Sequence, residues 1–89
     1  MIYTVEITDQ ADNDIRNIYE YIAYELQAPE NASVQLDRIE KCIMSLGDMP
    51  ERYRFYDREP WKSRGLRVLP VDNYVVLYIP DSNKKVVTI

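Results

Sequence analysis

Apolar residues recur with two different periods along the chain, and each change of period marks an element. Over residues 2–7, IYTVEI, β-branched and aromatic residues alternate with polar ones, which is the period of a strand. From Ala11 the period lengthens. Ala11, Ile15, Ile18, Ile22 and Leu26 step by three or four, predicting one apolar stripe on a helix of about five turns. Thr8 or Asp9 is placed to cap that helix, and Asp12 and Asp14 sit near the positive end of its dipole. Ala28, Pro29, Glu30 and Asn31 break the pattern, and Pro29 suits the first turn of a second helix. There Ala32, Leu36, Ile39, Ile43 and Leu46 repeat the step, and Gly47 is placed to end it in the left-handed conformation. Two such helices with a short break predict an antiparallel helical hairpin.

Residues 48–63 show neither period. They are polar, basic and aromatic, and read as a long loop with at most one short turn or strand. Residues 66–71 and 74–79 are strands around Asp72 and Asn73, both tolerant of a positive φ in a tight turn. Pro80, Asp81, Ser82 and Asn83 turn again, and residues 85–89 form a last strand. The order is β-α-α-β-β-β, an α/β chain of the α+β kind. The helical hairpin is expected to cover one face of a small antiparallel sheet. The first strand must join that sheet, because a lone strand leaves its backbone groups unpaired.

Length and composition narrow the function. Eighty-nine residues predict a single domain spanning 1–89 with a narrow stability margin. No stretch approaches the roughly 20 apolar residues of a membrane span, and the start lacks the pattern of a signal peptide. A cytoplasmic, soluble protein without membrane contact is therefore expected. With no His and one cysteine, Cys42, there is no internal disulfide and no Cys- or His-based metal site or triad. Cys42 lies beside Ile43 and reads as a small packed residue. Phosphate-cradling glycine loops are absent, so no cofactor and no metal is expected. Asp9, Asp12, Asp14, Glu20 and Glu25 scatter around the first helix and read as a solvated face.

The net charge of −4 is unevenly spread. Residues 1–47 carry nine acids and three bases; residues 48–89 carry six acids and eight bases. The bases crowd into one run: Arg52, Arg54, Arg58, Lys62, Arg64 and Arg67, interleaved with Tyr53, Phe55, Tyr56 and Trp61. Arginine among aromatics is a composition that holds phosphates and stacks bases. The plainer reading is a solvated loop whose arginines pair with the acidic first half. Eight tyrosines add a second ambiguity: Tyr19, Tyr21 and Tyr24 fall off the Ile stripe, where they either rim the core or face a partner.

Three strings, in order, resemble one family. They are YTVEITDQADNDIRNIYEYIA, with D-I-x-x-I-x-x-Y-I spacing; LGDMPERYRFY, with L-x-x-x-P-x-x-x-R; and GLRVLPVDNYVVLYIPDSNKKVVTI, with G-L-R-x-x-x-V-x-x-Y-x-x-x-Y. Together they resemble the RelE/ParE superfamily of toxins from bacterial type II toxin–antitoxin (plasmid stabilisation) modules. The resemblance implies a toxin neutralised by a cognate antitoxin that wraps it with an extended, partly helical segment. The ParE-like branch is favoured, implying a non-enzymatic inhibitor of DNA gyrase. RelE-like members, which cleave mRNA on the ribosome, carry a basic residue directly after the tyrosine that follows the hairpin turn; here Val75 follows Tyr74. A RelE-like ribosome-dependent endonuclease remains the first alternative, with Arg67 and Tyr78 as weak catalytic candidates. An inactive antitoxin-binding domain is the second, because family members continue past the last strand with a glycine-containing basic tail and the C-terminus here looks trimmed. The resemblance also implies that the basic run from Arg52 to Arg67 makes a positive patch for an acidic antitoxin or for the target. Charge reversal at Arg64 and Arg67 is then expected to weaken antitoxin binding. An open sheet edge would also allow a homodimer.

Overall fold

The structure, a computed structural model, describes residues 2–89. Strand β1 (Thr4–Glu6) leads into helix α1 (Asp9–Glu20), and α2 (Pro29–Ser45) returns beside it. A 3₁₀ turn at Pro50–Arg52 opens the long loop, and β2 (Arg67–Val71), β3 (Tyr74–Asp81) and β4 (Val86–Thr88) complete a four-stranded sheet. The sheet order is β1-β4-β3-β2.

The sheet is mixed where an antiparallel one was expected. β2–β3 and β3–β4 are antiparallel hairpins, but β1 runs parallel to β4, with Val5 opposite Val87. A hairpin forces its two strands to be antiparallel, and no hairpin joins β1 to β4. Their direction follows from the bonds at the two ends of the pair. The Thr4 amide donates to the Lys85 carbonyl (2.8 Å) and the Ile89 amide to the Glu6 carbonyl (2.9 Å).

Thr8 caps α1, its hydroxyl accepting from the Ala11 amide at 3.2 Å. The predicted stripe fails only at its end. Residues Tyr21–Glu25 form a π-helical turn, in which the Leu26 amide reaches back to the Tyr21 carbonyl at 3.1 Å. The wider turn carries Ala23 into the helix contact beside Ile22 and Ala32, and leaves Leu26 56% exposed. Tyr19 packs against that cluster, whereas Tyr21 and Tyr24 face solvent. Gly47 is also corrected. Its φ is not positive; instead a Cβ there would lie 3.1 Å from the Tyr3 carbonyl oxygen, where β1 crosses the end of α2. The Tyr3 amide donates to the Gly47 carbonyl, so glycine is needed for close approach.

The core lies between the hairpin and one sheet face. Ile39, Ile43 and Leu46 of α2 and its end meet Leu69, Val71, Val76, Tyr78 and Val87, with Ile15 and Ile18 of α1 alongside. Asp72, at φ 56°, turns the β2–β3 hairpin and is gripped from α2. The Arg38 guanidinium donates to both of its carboxylate oxygens at 2.8 Å, and the Gln35 amide donates to one at 3.1 Å. Those bonds, Arg38 first, hold the Asp72 carboxyl below the usual carboxylate range. A carboxyl whose folded pKa is depressed adds stability above its unfolded pKa and loses it as pH falls through the folded one. Asp72→Asn is therefore expected to lower stability modestly at neutral pH and to flatten the loss of stability with acid. Thermal melts across the acid range check both.

Candidate functional site

The basic loop between Asp48 and Leu66 is tied down at its start and end and open in the middle. Pro50 is buried, and its carbonyl accepts from the Tyr78 hydroxyl at 2.6 Å. Tyr78 is fully buried, and burial pushes its pKa up to about 12. Arg52 donates to the Asp48 carbonyl at 2.7 Å and to Ser45 at the end of α2, capping that helix's carbonyls. Arg67 stands opposite Tyr78 in the β2–β3 register, so both side chains lie on the helix-facing side of the sheet. Its guanidinium donates to the carbonyls of Glu51 (3.0 Å) and Tyr53 (2.6 Å) and stacks over Phe55 at 4.0 Å. The Val68 amide donates to the Arg54 carbonyl, and the Tyr56 amide to the Leu66 carbonyl. Residues 54–56 thereby line the outer edge of β2. Gly65, at φ 84°, supplies the left-handed bend that brings the loop back into β2.

These contacts sort the six bases. Arg52 and Arg67 are fasteners of the loop. Lys62 lies 3.9 Å from Asp57, and Arg64 stacks over Trp61 at 5.3 Å. Arg54 and Arg58 have no side-chain partner among the described residues. No base of the loop pairs with an acid of the first half, again among the described residues, so the plainer reading of a self-neutralised loop is not what the fold builds. The loop's own acids are engaged as well. Glu51 accepts from the Tyr3 hydroxyl at 2.8 Å, and that bond holds its carboxyl below the usual range. Glu59 accepts from Ser63. The two free arginines flank a cleft of about 570 Å³ with Tyr56, Asp57, Val68, Val75 and Leu77, on the sheet face away from the helices.

Arg67 and Tyr78 do share a face, but every polar contact they make is to loop backbone, and the Tyr78 hydroxyl is shut from solvent. What this arrangement offers chemically is an apolar floor whose rim carries two arginines against one acid, Asp57, and so stays net positive, suited to an acidic partner with apolar side chains. Among the described residues no group of three or more His, Cys, Asp or Glu could hold a metal ion.

A family model described as "ParE toxin of type II toxin-antitoxin system, parDE" matches residues 5–89. The chain belongs to the ParE toxin family. ParE membership agrees with the G-L-R string now seen as Gly65, Leu66 and Arg67 closing the loop. A solved structure titled "Chromosomal ParDE TA system from P. aeruginosa" has the same fold. It matches with a TM-score of 0.77 and 20% identity, over 99% of this chain and 90% of that one. No curated protein matches the sequence. Within this ParE-type fold the charge run alone did not separate fastening arginines from free ones. The position of Arg67 inside β2 was a usable signal, because a strand residue opposite Tyr78 must share its face.

Proposed function

We propose that this chain is the growth-arresting toxin of a type II module, that it inhibits DNA gyrase without hydrolysing anything, and that a cognate antitoxin neutralises it by seating acidic residues against Arg54 and Arg58. The family match over residues 5–89 carries the reading. Two features of the site support it. The side chains best suited to phosphodiester chemistry, Arg67 and Tyr78, are bound into the loop. The free cations stand over an apolar floor, as suits a protein partner.

The test is induction of the chain in bacteria, followed by pulses of labelled thymidine and labelled methionine. Thymidine incorporation is expected to fall first, and purified gyrase to lose supercoiling activity in the presence of the protein. Early loss of methionine incorporation would put the target on the ribosome and overturn the gyrase reading. Normal incorporation of both would leave an antitoxin-binding domain without toxicity.

A further inference from the structure

We propose that the turn over residues 58–65 is a contact surface for a single-stranded polynucleotide, with a base stacked on Trp61 and phosphates held by Arg64, Lys62 and Arg58. The proposal goes beyond the toxin reading and does not rest on it.

Three arginines of the basic loop stand over aromatic rings: Arg52 over Tyr53 at 4.9 Å, Arg67 over Phe55 at 4.0 Å and Arg64 over Trp61 at 5.3 Å. The first two are committed elsewhere, because their guanidinium groups donate to backbone carbonyls of the loop and of the end of α2. The Arg64 side chain makes no hydrogen bond or ion pair among the described residues. Its five N–H donors remain for an anion. The ring beneath it is equally idle. Trp61 is 45% exposed and belongs to neither buried cluster, although no residue type has more apolar surface to bury.

The turn holds this pair in place with its own backbone. The Trp61 carbonyl accepts from the Arg64 and Leu66 amides, both at 3.1 Å. The Lys62 amide donates to the Arg58 carbonyl at 2.9 Å, and the Gly65 amide to the Lys62 carbonyl at 3.1 Å. A platform ordered beforehand loses little freedom on binding. Two acids share the turn with the three bases. Glu59 is turned onto Ser63, accepting from its amide and its hydroxyl. Asp57 stands 3.9 Å from Lys62 with its side chain 87% exposed, a loose pair that a phosphate can displace. Residues 57–64 stay net positive.

The chemistry of the ligand follows from this pairing of ring and charge. An acidic peptide would use the cations and give the indole nothing to stack. A nucleotide carries a phosphate and a flat base one sugar apart, and so engages both. The base must be unpaired to reach the indole, which favours a single strand over a duplex. Ser63 and Glu59, the polar side chains placed to read a 2′-hydroxyl, hold each other, so DNA and RNA are expected to bind alike. The chain's net charge of −4 opposes a long polyanion, so the surface suits a short stretch of strand.

Trp61 is the only tryptophan, so its emission reads this turn alone. Titrating the chain with a thymidine decamer is expected to quench that emission and saturate. Three neutralised phosphates give a log–log salt slope of about −2, so affinity should fall on the order of fifteenfold between about 50 and 200 mM salt. Trp61→Ala, followed by anisotropy of a labelled decamer, is expected to weaken binding about tenfold. Arg64→Gln should flatten the salt slope by about 0.7, and it keeps the test open if a melt shows that Trp61→Ala does not fold. A glutamate decamer should leave the emission unchanged, and a duplex of equal length should bind more weakly. A uridine decamer run alongside names the source: quenching by either strand supports the proposal, and a tighter one identifies DNA or RNA. No quenching by either would overturn it. So would equal quenching by the glutamate decamer, tighter binding of the duplex, or affinity and salt slope unchanged in the folded variants. None of these results decides the thymidine and methionine pulses, so the toxin reading stands or falls separately.

Discussion

Tyr78→Ala is expected to cost about 3–5 kcal/mol, the range for truncating a buried aromatic. For a domain of this size that is a drop of about 15–30 °C in melting temperature. Three observations set the magnitude. Tyr78 is 0% exposed, and it sits in one core cluster with Leu69, Val76 and Val87. Its hydroxyl reaches the Pro50 carbonyl at 2.6 Å, 28 residues away in sequence. It also stands opposite Arg67, which holds two further carbonyls of the same loop. Tyr78→Phe separates packing from tethering. The ring remains, one buried carbonyl loses its donor, and the expected loss is about 1–2 kcal/mol. Limited proteolysis of Tyr78→Phe should cut first between residues 50 and 64, while the wild type resists. A melt in which alanine and phenylalanine cost the same would place the whole effect in the hydrogen bond and contradict this account of the core.

The same residue shows what the sequence could and could not reveal. Both helices and the hairpin at Asp72 and Asn73 follow from period and turn chemistry, because burial imposes the period locally; the inward face of β3 does not, since residues 74–79 are apolar at every position. The loop between Asp48 and Leu66 has no period, so its order comes from side chains reaching across it, Tyr78 and Arg67 above all. A reading by residue type puts Arg52 and Arg67 beside Arg54 and Arg58 as like candidates. Only the fold separates two that close the loop from two that face outward. The parallel β1–β4 pair was hidden for a related reason. Its partners are Thr4 and Val86, and pairing across nearly the whole chain leaves no local mark. The π turn at Tyr21–Glu25 likewise gives no period of its own; its effect is the misplaced Leu26.

That separation makes the second large effect predictable. Reversing Arg54 and Arg58 together, as Arg54→Glu with Arg58→Glu, is expected to weaken antitoxin binding on the order of a hundredfold or more. Each reversal replaces attraction with repulsion against an acidic segment, and neither residue gives up a contact that the fold uses. The melting temperature should hardly move, since substitutions at exposed, unpartnered sites usually stay within about 0.5 kcal/mol. The loss should lie largely in the association rate and shrink as salt is raised, because the interaction is screened over about 10 Å at 0.1 M ionic strength. Arg67→Glu is the informative contrast. It would bury a carboxylate against the Glu51 and Tyr53 carbonyls and the Phe55 ring, so its primary effect is on folding. Antitoxin affinity measured for the double reversal, beside a melt of Arg67→Glu, therefore distinguishes a charged docking surface from a charged fastener. Unchanged affinity and salt dependence in the double reversal would move the antitoxin off this face of the sheet, whatever the toxin's target is.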